Sequence, residues 1–486
     1  MKPAFSLAPL ALGAAALLAG CATHPVGPDY HPPEALQPAH AASAGAFASA
    51  EAQAASSATP LPPQWWRLYD DARLDALIEQ AFAHNTDLRQ AVANLEREQA
   101  VDQEVRGAQK PSVTVGGGPS FGHKSGLDLV KPGYEPPSTM NYGATASLSY
   151  QLDLFGQIRR AIEAAEAGTG SAEAAVDLVR VNVAAGTARA YAEACSAGLR
   201  LQSANTSIQL QQQAVTLSDR LQQAGKVGVI DAARARGQLE QLRAAVPPLQ
   251  AARQNALYRL ATLTGAPPRE FPQAVAECAA PPRLAGAIPV GDGAALLRRR
   301  PDIRQAERGV AVANARIGVA TADLYPKVSL GISAISAGRL NDFGSSDTLN
   351  YSLGPLISWT IPNTGAAQAR IAQAEAGTRS ALARFDGTVL NALRETETAL
   401  NVYARELDRH AALKAARDQS AIVADQARQL YRNGKTGSLD ALDAERALAG
   451  SEAALAASDA QLSDDQIGVF LALGGGWEQP AAVAAR

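Results

Sequence analysis

The sequence predicts an α+β protein built from two copies of a helix–strand–strand–helix unit in one chain, and three observations lead there. The 486 residues are 47% hydrophobic but only 5% aromatic, with alanine at about a fifth of all positions, well above ordinary usage. Alanine favours helix and close helix packing while burying little area per residue. That composition argues against a thick aromatic core and for long helices packed on one another. Sequence blocks also recur at fixed offsets, and residues 157–223 and 366–433 contain no proline. The balance of 44 basic against 47 acidic residues, net charge -3 with pI near 6.1, gives no support for a nucleic-acid partner.

Taking the elements in order, Lys2 and the apolar run 4–18 read as a signal peptide over 1–20, too short for a comfortable membrane span. Leu18-Ala19-Gly20-Cys21 resembles a bacterial lipobox, which implies acylation of Cys21. Ala22, in place of an aspartate, implies sorting to the outer membrane. Residues 21–64, rich in Pro, Ala and Ser, read as an extended tether, with order beginning near Trp65-Trp66.

From there the chain repeats itself. Asp87-Leu88-Arg89-Gln90-Ala91 returns as Asp302-Ile303-Arg304-Gln305-Ala306, and Pro111 as Pro326, at an offset of 215. Ala165-Glu166-Ala167-Gly168 returns as Ala374-Glu375-Ala376-Gly377 at an offset of 209, as does Gly225-Lys226-x-Gly228-x-Ile230-Asp231-Ala232 in Gly434-Lys435-x-Gly437-x-Leu439-Asp440-Ala441. The offset changes between the two strands of each repeat, as expected of a surface loop. The repeats occupy 65–264 and 295–475, separated by a linker at 265–294 and followed by a tail at 476–486.

The strands alternate apolar and polar residues, in Tyr142 to Leu154, around Val113 and Val115, and in Leu353, Ile357, Trp359 and Ile361. Their length suits a tilted outer-membrane crossing, with Tyr142 and Trp359 as interfacial anchors; a soluble sheet with one wet face would alternate equally well. The proline-free stretches could each run roughly 100 Å as helix. Gly168, Gly186 and Gly198 would let neighbouring helices approach, and Gln209 to Gln213 reads as a solvated face. Pro247-Pro248 should break the return helix of the first repeat only. Cys195 reads as a buried small apolar residue, and the sequence leaves its pairing with Cys278 open. No segment after the signal is apolar enough for a membrane helix. Four strands cannot close a barrel, and open edges are not tolerated in lipid, so the chain must oligomerise, with dimer, trimer and larger rings all open.

The lipobox, Val26-Gly27-Pro28-Asp29-Tyr30, the repeated unit and the paired Gly-Lys turns resemble the outer-membrane factors of tripartite efflux systems, most closely the NodT-type lipoproteins of the TolC-like superfamily. The resemblance implies a homotrimer whose 12-stranded outer-membrane barrel is continuous with a long periplasmic α-helical barrel. The 265–294 linker would form part of an equatorial belt. Implied partners are a periplasmic adaptor protein, an inner-membrane pump and outer-membrane lipid. The turns holding Gly225, Gly228, Gly434 and Gly437 would be periplasmic tips, and Tyr431, Leu439, Asp440 and Asp443 would line or hold a closed entrance. Threefold symmetry would make Asp443 a ring of carboxylates favouring cations. Asp231 and Asp440 equally suit the first turn of a return helix, where acids are favoured. Where TolC-like tips carry an arginine implicated in the closed state, this chain has Thr436, with Arg432 and Lys435 nearby.

Signals for catalysis are missing from the sequence. The six histidines are scattered without metal-ligand spacing, and there is no GxSxG elbow. Gly434-Lys435-Thr436 lacks the P-loop's first glycine, Gln429 standing there. No catalytic residue, metal or cofactor is expected. The rival reading is a structural or adhesive coiled-coil lipoprotein without a pore.

Overall fold

A computed structural model of the chain describes residues 24–33, 45, 47, 48, 56, 57, 59–123, 132–284, 286–359 and 364–478. The expected signal at 1–20, Cys21, Ile361, most of the tether and the tail beyond residue 478 lie outside them. Two compact units emerge. One comprises residues through Pro32, Glu96–Ser171 and Ala306–Arg384; the other comprises Pro33–Leu95, Ala172–Gln305 and Phe385–Arg486.

The first unit is organised by one antiparallel sheet of β1 (Ser112–Gly122), β2 (Thr139–Leu152), β3 (Lys327–Arg339) and β4 (Leu349–Ser358), ordered as in the chain. Residues paired across strands share a face, so the register sorts the side chains. Val113, Leu148, Ile332 and Leu353 form one row, and Val115, Ala146, Ala334 and Tyr351 another on the same face. Thr114, Ser147, Ser333 and Ser352 form a row on the opposite face, where the Ser333 and Ser352 hydroxyls lie 2.7 Å apart. The apolar face is bare in one chain: Val115 is 76% exposed, Tyr351 79% and Leu353 69%. A surface of that kind needs a lipid or protein cover. Two aliphatic residues intrude on the polar side, Ile335 between Thr145 and Asn350, and Leu356 opposite Ser329.

Tyr142 does not stand free as an interfacial anchor. Its ring packs edge-on against Phe343, its hydroxyl lies 2.8 Å from both Ser336 Oγ and Thr348 Oγ1, and it is buried. Trp359 is exposed but falls just after β4, its indole N–H donating to the Leu324 carbonyl at 3.2 Å.

Residues 24–32, expected within an extended tether, belong to this unit and are docked on it. Val26 N–H donates to the Phe155 carbonyl at 3.1 Å. Arg160, 4% exposed, donates to the carbonyls of Val26 and Gly27 and to Asp29 Oδ1 at 2.7 Å. The guanidinium holds the Asp29 carboxyl below its ordinary value. Gly27 has φ +87°, and a Cβ there would meet Gly318 Cα at 2.5 Å, so the approach requires glycine. Tyr30 hydroxyl closes the strap on Glu307.

The helices follow the composition. After α1 (Ala72–His84) and α2 (Thr86–Gly107) come the 67-residue α3 (Gln157–Gln223), then α4 (Val229–Ala244) and α5 (Val246–Leu263). Short α6 (Gly293–Arg299) and α7 (Pro301–Ala322) lead through β3 and β4 to the 69-residue α8 (Thr364–Arg432) and to α9 (Ser438–Ala472). α9 runs unbroken, whereas its counterpart is split at Ala245, just before Pro247-Pro248. Among the described residues, no helix is long and apolar enough to cross a membrane.

Within the second unit the few aromatics are concentrated rather than absent. Trp65 is fully buried, stacks on Phe470 with centroids 4.5 Å apart, and donates its indole N–H to the Gly475 carbonyl. Leu74, Ile78, Leu260, Ile467 and Leu473 close around them. Cys195 is buried as expected but is also disulfide-bonded to Cys278 across 83 residues. At Gly198, one turn on, a Cβ would collide with the Cys278 carbonyl oxygen at 2.0 Å. Gln211 departs from the solvated ladder: it points inward and donates to the Ala235 carbonyl at 2.9 Å. Ser56–Ser57 pairs in parallel with Ile288–Pro289 in the linker region.

Candidate functional site

The two long helices end in the same reversal. At the first tip Gly225 N–H donates to the Gln222 carbonyl and Lys226 N–H to that of Leu221, at 2.9 and 2.8 Å. At the second, Gly434 N–H donates to Tyr431 and Lys435 N–H to Leu430, at 3.0 and 2.9 Å. This paired closure satisfies the last helical carbonyls and places the glycine in the left-handed region; Gly225 and Gly434 both have φ +67°. Gly228 and Gly437 have a different part. They precede the return helices at φ -82° and -75°, an extended conformation open to most residues.

The acids of the two tips are held differently. Asp231 Oδ2 accepts from the Gly228 N–H at 3.3 Å, capping its own helix. Asp440 Oδ2 instead accepts from Thr436 Oγ1 at 2.5 Å, within the exposed turn that also displays Leu439, 48% exposed. Asp443, one turn further along α9, accepts from Arg446 Nη1 at 3.2 Å. Arg446 also donates to Gln238 Oε1 at 3.0 Å, linking α9 to α4.

Tyr431 is turned inward. Its hydroxyl is enclosed and has no hydrogen-bond partner. Burial, then the nearby charge of Asp231, raises its pKa above the ordinary phenol value, so it stays neutral throughout the working range. The structure thus brings Tyr431 under the influence of an acid from the other repeat, while Asp440 and Asp443 remain on their own hairpin.

Each hairpin is also bridged by an ion pair below its tip. Arg236 meets Asp219 at 2.8 Å in the first, and Arg428 meets Glu445 at 2.7 Å in the second. Neither pair, nor Arg446, was singled out from the sequence. Arg446 was detectable three residues after Asp443, a helical-neighbour spacing; the cross-hairpin pairs needed the turn geometry. Among the described residues no group of His, Cys, Asp and Glu is arranged to hold a metal.

The model of the family described as "Outer membrane efflux protein" matches residues 77–266 and 294–475. Nodulation protein T of Rhizobium leguminosarum bv. trifolii is 28% identical over 466 residues, 96% of each chain. Outer membrane protein OprJ of Pseudomonas aeruginosa is 28% identical over 480 residues, 98% of this chain and 97% of that one. The solved outer-membrane channel OprN superposes with TM-score 0.84 at 35% identity, covering 93% of this chain and 99% of that chain.

Proposed function

Because this chain belongs to the outer membrane efflux protein family and is an outer-membrane efflux channel protein, we propose that it works as a homotrimer, taking solute from a periplasmic adaptor and inner-membrane pump. The sheet carries this reading. Both of its edges, β1 and β4, lack a neighbour among the described residues, and its apolar face is bare while the other face is lined with hydroxyls. Edges in lipid must be closed, and four strands from each of three chains give the 12 of a small water-filled barrel. Acylated Cys21 would add a lipid anchor to the barrel. A non-pore adhesive coil has no use for such a sheet.

Solute enters at the hairpin tips and leaves through the barrel. Tyr431, Leu439, Asp440 and Asp443 form the entrance, with Gly225, Gly228, Gly434 and Gly437 shaping the turns that bear it. Three copies of Asp440 and Asp443 favour cations there, and Arg446 tempers the field of Asp443. The role is conduction, without catalysis or a resident cofactor.

Single-channel recording in planar bilayers tests this. Wild-type protein is expected to conduct with cation preference, and Asp443→Asn to lower that preference. No conductance from either protein, or a monomer on crosslinking in native membranes, would falsify the proposal.

A further inference from the structure

The loop between β3 and β4 folds towards one face of the sheet, and its contacts fix which face. Tyr142 and Gly338 are paired across β2 and β3, on the face that also carries Val115 and Leu353. Over that pair the loop returns. Phe343 packs edge-on against the Tyr142 ring, the Tyr142 hydroxyl donates to Thr348 Oγ1 at 2.8 Å, and Thr348 donates in turn to the Ser345 carbonyl at 2.7 Å. A Cβ on Gly338 would meet Thr348 Cγ2 at 2.8 Å, so the loop rests directly on the strand there. The loop covers the tyrosine and displays its own ring: Tyr142 is 7% exposed, Phe343 70%. Phe121 and Met140, paired across β1 and β2, and Leu349 are exposed at the same end of the same face. The opposite end carries Ile357 and, just after β4, Trp359, both exposed. Tyr142 stands ten residues along β2 from Leu152, which is level with Ile357. About 33 Å of strand, tilted by about 40°, rises about 25 Å, the height of the apolar band of an outer-membrane barrel. The long helices α3 and α8 follow β2 and β4 at the Trp359 end, so Phe343 marks the end away from them.

We propose that this loop is an outer-leaflet anchor: Phe343, propped on Tyr142, seats at the boundary of lipid headgroups and acyl chains, and the loop thereby stays clear of the channel exit. With Phe121, Met140 and Leu349 the ring extends the bare apolar face of the sheet, a surface that needs a cover, and aromatic rings collect at membrane boundaries. Beneath it the hydroxyls of Tyr142, Ser336 and Thr348 bond to one another, so none faces acyl chains unpaired. Asp342 and Asp347, in the same loop, hold it at headgroup level, because carboxylates are costly in hydrocarbon. A loop folded the other way would set Phe343 over the hydroxyl-bearing face and narrow the lumen. That the apolar face meets lipid is the reading given above, and this inference rests on it.

The test uses full-length protein in vesicles of phosphatidylcholine brominated at shallow or deep acyl positions, with tryptophan emission measured against wild type. The tryptophan added by Phe343→Trp should be quenched more by shallow than by deep bromines, and little by aqueous acrylamide. Leu353→Trp, midway along the apolar face, should be quenched most by deep bromines, and Ser333→Trp, on the other face, by acrylamide alone. Phe343→Ser should lower the equilibrium constant for folding into vesicles about tenfold per chain, as loss of a partly lipid-buried ring does, while single-channel conductance stays at the wild-type value. Acrylamide quenching without bromine quenching at Phe343→Trp, unchanged folding of Phe343→Ser, or a rise in its conductance overturns the proposal. If any of these occurs while Leu353→Trp still responds to deep bromines, the anchor falls and the lipid-facing sheet stands. A Leu353→Trp protein untouched by bromines sinks the sheet reading and the anchor with it.

Discussion

The two hairpins share a backbone plan, and their offset of 209 residues allows a position-by-position comparison. The capping glycines, Gly225 and Gly434, have the same φ. The ion pair below each tip occupies the same two positions with its polarity reversed, Asp219 and Arg236 in one, Arg428 and Glu445 in the other. Above it the chemistry diverges. Arg234 stands where the second copy has Asp443, Gln222 where it has Tyr431, and Val227 where it has Thr436. The first hairpin therefore has a basic shoulder where the second carries Asp443, and the second alone has an aromatic ring, turned inward, at its tip. A duplicated unit retains what the backbone demands and varies what its surroundings read.

The largest departure from equivalence lies away from the tips. Cys195 is disulfide-bonded to Cys278, whereas the matching position of the second repeat is Ala404, buried and unlinked. Loop-closure entropy for a crosslink of that span is worth about 4 kcal/mol. Cys195→Ala should thus lower the unfolding free energy by about that amount, read by urea denaturation followed through helical circular dichroism. Loss of less than about 1 kcal/mol would show that the repeats are equally stable without the staple.

Next comes the reversed ion pair. Arg428 and Glu445 are 28% and 18% exposed, against 57% and 36% for Arg236 and Asp219. Better-shielded charges interact more strongly. Glu445→Gln is expected to cost about 1.5 kcal/mol and Arg236→Gln at most about 0.5 kcal/mol. Reversing both partners, Arg428→Glu with Glu445→Arg, should recover most of the loss, because the first hairpin already uses that polarity. Equal costs in the two hairpins, or no recovery in the double variant, would remove the argument that only shielding distinguishes them.

How much of this was legible in the sequence follows from the range of the interactions. The strands declared themselves by alternation, which is local, and the register then sorted Thr114, Ser147, Ser333 and Ser352 onto one face. The turns were legible from the Gly-Lys pairs, though only half of the four glycines have a left-handed φ. What the sequence concealed was contact between distant segments: Tyr142 covered by Phe343, Trp65 stacked on Phe470, Arg160 gripping the strap at Val26 to Asp29, and the burial of Gln211 amid exposed glutamines. Each depends on which segments the fold brings together, and composition is silent on that. The inward rotation of Tyr431 is of the same kind.

The smallest expected effect addresses the tip itself. Thr436 Oγ1 donates to Asp440, while Val227 leaves Asp231 free to cap the Gly228 N–H. If the hydroxyl is what turns the second acid away from its helix, Thr436→Val should let Asp440 adopt the capping role of Asp231. One hydrogen bond is then exchanged for another, and the net cost stays within about 0.5–1 kcal/mol. Amide hydrogen exchange distinguishes the two states, because the Gly437 N–H gains an acceptor and should exchange more slowly in the variant than in wild type. Val227→Thr should do the reverse at Gly228, speeding its exchange as Asp231 is drawn to the new hydroxyl. Unchanged exchange at both glycines would mean that the difference between the tips is set by their neighbours in the assembled channel rather than by the side chain at this position.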